Sequence, residues 1–108
     1  SHYPIDVHGV DDVSLGLKYQ HDVPVDEQYW EVPFRVMIPK TLDNVLTAGR
    51  CAGMDFRAQS AARIQPTCRS MGEAAGIAVA MTVKNEAVRF NEIDGTAVRR
   101  EIRLPDKF

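Results

Sequence analysis

Residues 66–84, PTCRSMGEAAGIAVAMTVK, decide the fold of this chain. Their small and apolar side chains predict one long helix over about 66–84. Pro66 suits the first helical turn, because the N–H that proline lacks would have no intrahelical partner there. Gly72 and Gly76 lie inside the helix, however, and each costs about 1 kcal/mol relative to alanine. Some other interaction must compensate for this loss.

The two glycines lie on one side of the predicted helix, together with Cys68 and Ala80. This side carries almost no side-chain bulk, so another backbone or a flat ligand can approach it closely. One interpretation is that the helix packs against a sheet. The other is that its bare first turns face a bound anion or a polarised ring, which N–H groups and the helix dipole favour. The two interpretations are compatible, and both stay open here.

Four other segments have the short alternating or apolar pattern of β-strands. They are residues 3–8 (YPIDVH), 29–38 (YWEVPFRVMI), 45–48 (VLTA) and 88–90 (VRF). Pro33 cannot donate to a strand ladder, so it should lie at an edge or a bulge. Gly49 should end the third strand.

These patterns together predict an α+β fold. We expect a few short, mostly antiparallel strands, the long helix, and a short C-terminal helix over about 95–103 that Asp94 caps. Residues 11–28 have no period and are typical of a surface loop. Residues 50–65 fit either a helical turn or an irregular segment.

Composition and charge exclude several classes of protein. The chain has 108 residues, of which 44% are hydrophobic and 26% charged, as in a soluble globular domain with one modest core. Residues 1–34 carry a net charge of −6 and residues 35–108 one of +4, without a basic run. A nucleic-acid partner is therefore not expected, and a small anionic ligand suits the basic part better. The longest apolar stretch is too short to span a membrane.

The two cysteines, Cys51 and Cys68, have neither CxxC nor zinc-site spacing. We interpret them as inert thiols and expect no metal site. A thiol redox pair stays an alternative, which requires the two residues to lie within bonding distance.

Four arginines fall within twenty residues of one another: Arg50, Arg57, Arg63 and Arg69. Each could be solvated or paired with an acidic side chain, but the group indicates an anion. Arg50 follows VLTAG directly, and the end of an apolar strand is where ligands bind in open α/β sheets.

Two motifs resemble a known family. NVLTAGRCAG (44–53) and AARIQPTCRSMGEAAGIAVA (61–80) are similar to the C-terminal flavin-contacting part of FAD-dependent oxidoreductases related to glutathione-reductase-type flavoproteins, and YPIDVH also resembles their pattern. The resemblance implies FAD as the cofactor of the complete protein. It also implies that the helix start addresses the pyrimidine edge of the flavin. The residues that it places beside FAD are Ala48, Gly49, Arg50, Thr67, Met71, Gly72, Ala75 and Gly76.

The resemblance also implies that the chain consists of three regions. Residues 1–40 would be strands and a loop of a substrate domain, 41–84 the C-terminal part of the FAD-binding domain, and 85–108 a last strand and helix, all within a larger FAD-binding α/β fold. The G-x-G-x-x-G turn that holds the FAD pyrophosphate does not occur in this chain. We therefore expect a C-terminal portion that alone binds FAD weakly or not at all and is inactive.

The expected partners are the rest of the FAD-binding domain, an unidentified small-molecule substrate and, through the free edge of 45–48, a second copy of the chain. No residue has a clear catalytic signature, and His8 and Arg63 are the candidates. The compartment is not specified, with the cytoplasm slightly favoured. A non-catalytic dimerising or ligand-docking module is the alternative to a flavoenzyme.

Overall fold

The computed structural model describes residues 30–85 and 89–102, in which helices are the regular secondary structure. Three α-helices follow one another: α1 (Phe56–Ala62), α2 (Gln65–Lys84) and α3 (Gly95–Glu101). Within the described ranges, three short 3₁₀ turns accompany them, at Phe34–Met37, Gly49–Cys51 and Phe90–Glu92.

Helix α2 confirms the long helix predicted for 66–84. It begins one residue earlier, with Pro66 in its first turn. It ends with Lys84 in the last turn, where a cation is favourable, and the N–H of Asn85 donates to the carbonyl of Met81.

The two shorter helices begin at aspartate caps. The Asp55 carboxylate accepts from the N–H of Ala58 at 2.8 Å, so residues 56–62, which the sequence left undecided, form α1. The Asp94 carboxylate accepts from the N–H of Thr96 at 2.9 Å, which confirms the predicted cap and the C-terminal helix. Both caps satisfy N–H groups that have no partner within the helix.

The α+β prediction is wrong for the described residues, which contain no β-strand. Residues 34–37 of the predicted strand 29–38 form a 3₁₀ turn. The side chains of Val32, Phe34 and Val36 are still half-buried, as the alternation predicted. The alternating pattern of these three side chains therefore reflects their burial against the core that includes α2, and not pairing with a neighbouring strand.

Two other predicted strands, at 45–48 and 88–90, are also not strands where the structure describes them. Residues 45–48 make only an isolated link to the preceding segment, in which the N–H of Thr47 donates to the carbonyl of Met37 at 2.8 Å. Phe90, from the predicted strand 88–90, begins a 3₁₀ turn. Residues 3–8 lie outside the described residues. The described residues thus contribute no strand to the larger α/β fold that we expected. The dimer prediction assumed a free strand edge at 45–48, and this segment is not a strand.

The core lies between residues 32–54 and the inward face of α2. Met37, Ala52 and Met71 are its buried centre. Seven partly buried residues pack against them: Val32, Phe34, Val36, Leu46, Ala48, Met54 and Ala74. Helix α3 contacts α2 as well. This core holds the segment that leads to Gly49 against the first half of α2.

Candidate functional site

The Gly49 turn, residues Gly49–Cys51, is the best-defined part of the candidate site. Gly49 has φ +77°, a conformation that side-chain-bearing residues rarely adopt. A Cβ atom on Gly49 would lie 3.6 Å from both Cβ and Sγ of Cys68. The backbone of this turn therefore lies against the first turn of α2, and the structure brings Arg50 close to the start of that helix.

Hydrogen bonds from three directions hold the Gly49 turn. The N–H of Ala52 donates to the carbonyl of Gly49 at 3.1 Å, and the N–H of Gly53 donates to the carbonyl of Val36 at 2.8 Å. The Gln59 side chain, from α1, donates through Nε2 to the carbonyl of Arg50 at 2.9 Å. The Arg50 side chain itself is exposed. A fixed backbone thus presents a solvent-accessible cation.

The start of α2 has no side-chain cap. Ile64 occupies the N-cap position and makes no side-chain hydrogen bond, and the first turn contains no acidic residue. Most helix starts use Ser, Thr, Asp or Asn here, as α1 and α3 do. Within the described residues, neither the N-cap nor the first turn of α2 places an acidic side chain at the positive end of its dipole.

The predicted cofactor residues on α2 divide between two faces. Thr67 and Met71 point inward and are only 7% and 4% exposed, so Met71 serves the core. Ala75 is half-buried. Gly72 and Gly76 are exposed, and a Cβ on either would meet nothing within 4 Å. Neither glycine therefore packs against a sheet within the described residues.

The two glycines belong to a longer open face of α2, which we define as Gly72, Gly76, Val79 and Val83. Val79 and Val83 are 45% and 72% exposed. Cys68, which contacts Gly49, lies one turn before Gly72 on the same side of the helix. The Gly49 turn thus borders the N-terminal end of the open face.

The other arginines are less well placed. Arg57, Arg63 and Arg69 are exposed, and Arg63 is the residue that ends α1, where its Nε donates to the carbonyl of Ser60 at 3.4 Å. Arg89, outside this group, pairs with Asp43 at 3.4 Å on the surface. These positions do not assign a substrate contact to Arg63, which stays a prediction. His8 lies outside the described residues.

Both cysteines are free. Their thiols donate to nearby carbonyls, Cys51 to Ala48 at 3.2 Å and Cys68 to Ala62 at 3.6 Å. No group of residues in the described ranges could hold a metal ion. Nor does any helix among them have the length and apolar character needed to cross a bilayer.

Gln59 is the residue that sequence reasoning missed. Its contact with Arg50 joins residues nine positions apart and exists only because residues 56–62 form a helix. The segment showed no clear helical pattern, so no signal in the sequence pointed to this contact.

The comparison with protein families decides which family this site belongs to. The family model of FAD dependent oxidoreductases matches residues 1–102. This chain belongs to that family. No curated protein and no solved structure is significantly similar to the chain. Membership makes this chain part of an FAD-dependent flavoprotein, in agreement with the resemblance of the two motifs.

Proposed function

We propose that this chain contributes the flavin-contacting C-terminal part of an FAD-dependent oxidoreductase related to glutathione-reductase-type flavoproteins. The observation that carries the proposal is the arrangement of three features around Cys68. They are the Gly49 turn with Arg50, the uncapped start of α2, and the open face that begins at Gly72.

These features fit a flat, partly anionic cofactor. The open face offers space at Gly72 and Gly76 that side chains would fill, so a ring system can approach the helix backbone. The uncapped helix start and Arg50 offer positive charge beside that space. In this proposal the cofactor supplies an acceptor at the start of α2, where the N-cap side chain makes no hydrogen bond.

Bound FAD would supply the electron-carrying ring, and the residues of this chain would orient it and balance its charge. The start of α2 would stabilise negative charge at the N1–C2=O edge of the ring. Arg50 would bind an anionic group of the cofactor or substrate, and Gly49 would permit close approach of the backbone. Arg63 is proposed as a cation on the substrate side, and His8 as a weaker acid–base candidate.

The proposed partners are the rest of the FAD-binding domain and a small-molecule substrate. A homodimer stays a prediction that the strand-edge argument no longer supports. The competing function is a non-catalytic docking module, which the exposure of Val79 and Val83 favours, because apolar side chains on one helix face are typical of a protein contact.

Flavin retention in the complete flavoprotein that contains this chain tests the proposal. Arg50→Ala removes the cation, and Gly72→Leu fills the open face next to the helix start. We expect each variant to retain less FAD after gel filtration. Arg50→Ala removes a charged hydrogen bond to the cofactor, so its affinity for FAD should fall at least about tenfold.

Matched controls separate this effect from general damage. Arg99→Ala removes an exposed arginine from α3, and Lys84→Leu adds an apolar side chain at the far end of α2. Both controls should retain FAD as the unmodified protein does. Unchanged flavin retention in Arg50→Ala and in Gly72→Leu would show that the cofactor role is wrong and would favour the docking module.

A further inference from the structure

We infer that Gln59 is a positioning residue for Arg50. Its side-chain amide donates to the Arg50 carbonyl at 2.9 Å and so connects α1 to the Gly49 turn. The inference rests on the proposed function, because Arg50 is the residue through which Gln59 acts.

The contact matters because the turn is short. Residues Gly49–Cys51 contain only one turn of 3₁₀ helix, closed by the bond from Ala52 to Gly49. The Arg50 carbonyl is not part of that closure, and within residues 30–85 and 89–102 its hydrogen-bond donor is Gln59. Rotation about the Arg50 Cα–C bond would move the rest of the turn relative to the Arg50 Cα–Cβ bond, and so change where the Arg50 side chain lies relative to α1.

Cys68 limits the turn from the opposite side. A Cβ on Gly49 would lie 3.6 Å from its side chain, and its thiol donates to the carbonyl of Ala62 at the end of α1. The turn is therefore held between a residue of α1 and a residue of α2. Gln59 supplies the directional hydrogen bond, and Cys68 supplies the contact surface.

Gln59 does not need to touch the cofactor for this role. Its own backbone N–H donates to Asp55 and its carbonyl accepts from Arg63, as α1 requires. Only the side-chain amide is directed to the turn. A substitution that keeps the size of the side chain and removes the donor therefore isolates the positioning effect.

A double-mutant cycle in the complete flavoprotein tests the inference. Gln59→Met keeps the length of the side chain and removes the donor, and FAD affinity is measured by titration of the apoprotein. Loss of one neutral hydrogen bond should weaken FAD binding about two- to tenfold. In an Arg50→Ala background the same change should alter the affinity less than about twofold, because Gln59 then has no cation to position.

Thr82→Val is the matched control. It also removes a side-chain donor to a carbonyl, but the bond to Val79 lies within α2 and connects no second element. FAD affinity should not change in this variant. Should Gln59→Met fail to fold, Gln59→Glu serves in its place, since a carboxylate of the same shape cannot donate.

The outcomes distinguish this inference from the proposed function. If Arg50→Ala weakens FAD binding while the Gln59 change has no effect, or has the same effect in both backgrounds, Gln59 does not position Arg50. If Arg50→Ala itself leaves the affinity unchanged, the assigned role of Arg50 fails and the inference fails with it.

Discussion

At the scale of single residues, the backbone conformation of Gly49 determines where Arg50 can lie. Gly49 has a left-handed φ, and a Cβ at this position would lie 3.6 Å from the side chain of Cys68. The sequence motif TAGR predicted a ligand-facing arginine at a strand tip. The structure retains the glycine and the arginine but replaces the strand with an extended segment packed on α2.

Asp94 provides a pH-dependent prediction at the same scale. The Thr96 hydroxyl and then the Thr96 N–H donate to its carboxylate and hold its pKa below the ordinary value of 3.8. A depressed pKa stabilises the folded state at pH values above the ordinary pKa. This stabilisation is lost as the pH falls through the lower, folded-state value. Asp94→Ala should therefore lower the melting temperature at pH 7 and lower it less at pH 3.

Asp94→Asn is the control, because asparagine caps a helix but does not titrate. Because neither Asn nor Ala titrates, the difference in melting temperature between Asp94→Asn and Asp94→Ala should be the same at pH 7 and at pH 3. Equal losses for Asp94→Ala at pH 7 and pH 3, followed by circular dichroism, would contradict the account of this cap.

At the scale of elements, the sequence predicted helices better than extended segments. The bounds of α2 follow from local signals, namely Pro66 at the start and Lys84 near the end. The alternation in 29–38 correctly predicted that Val32, Phe34 and Val36 are half-buried, but it grouped Met37 with the outward-facing positions, and Met37 is buried in the core. A strand also requires a partner with free backbone groups. The described residues contain no such partner.

The open face of α2 yields a stability prediction. An added Cβ at Gly76 would meet nothing within 4 Å. In the 108-residue chain, Gly76→Ala should therefore raise the free energy of unfolding by about 1 kcal/mol through helix propensity alone. Urea unfolding followed at 222 nm measures this gain.

Ala80→Gly is the matched control, because it makes the opposite substitution at an exposed position of the same helix. It should lower the free energy of unfolding by about the same amount. A loss of stability in Gly76→Ala would instead mean that this glycine is already packed closely in the chain alone, contrary to the open face.

At the scale of the whole molecule, the core explains which predicted site residues come together. Met71 and Ala74 face the core, whereas Gly72 and Gly76 face open space, so the proposed cofactor side of α2 is the side of the two glycines. The sequence placed Thr67, Met71, Gly72 and Gly76 in one cofactor set, because a linear motif does not say which face of a helix each residue occupies. Of these four residues, Thr67 and Met71 are therefore buried within the chain, and Gly72 and Gly76 are exposed.

The most direct test of the central claim is an experimental structure of the complete flavoprotein with FAD bound. We predict that the pyrimidine edge of the flavin lies within hydrogen-bond distance, about 3 Å, of the first turn of α2, with the ring beside Gly72 and the Arg50 guanidinium next to an anionic group. A flavin bound elsewhere, with Gly72 and Gly76 covered only by polypeptide, would contradict the account.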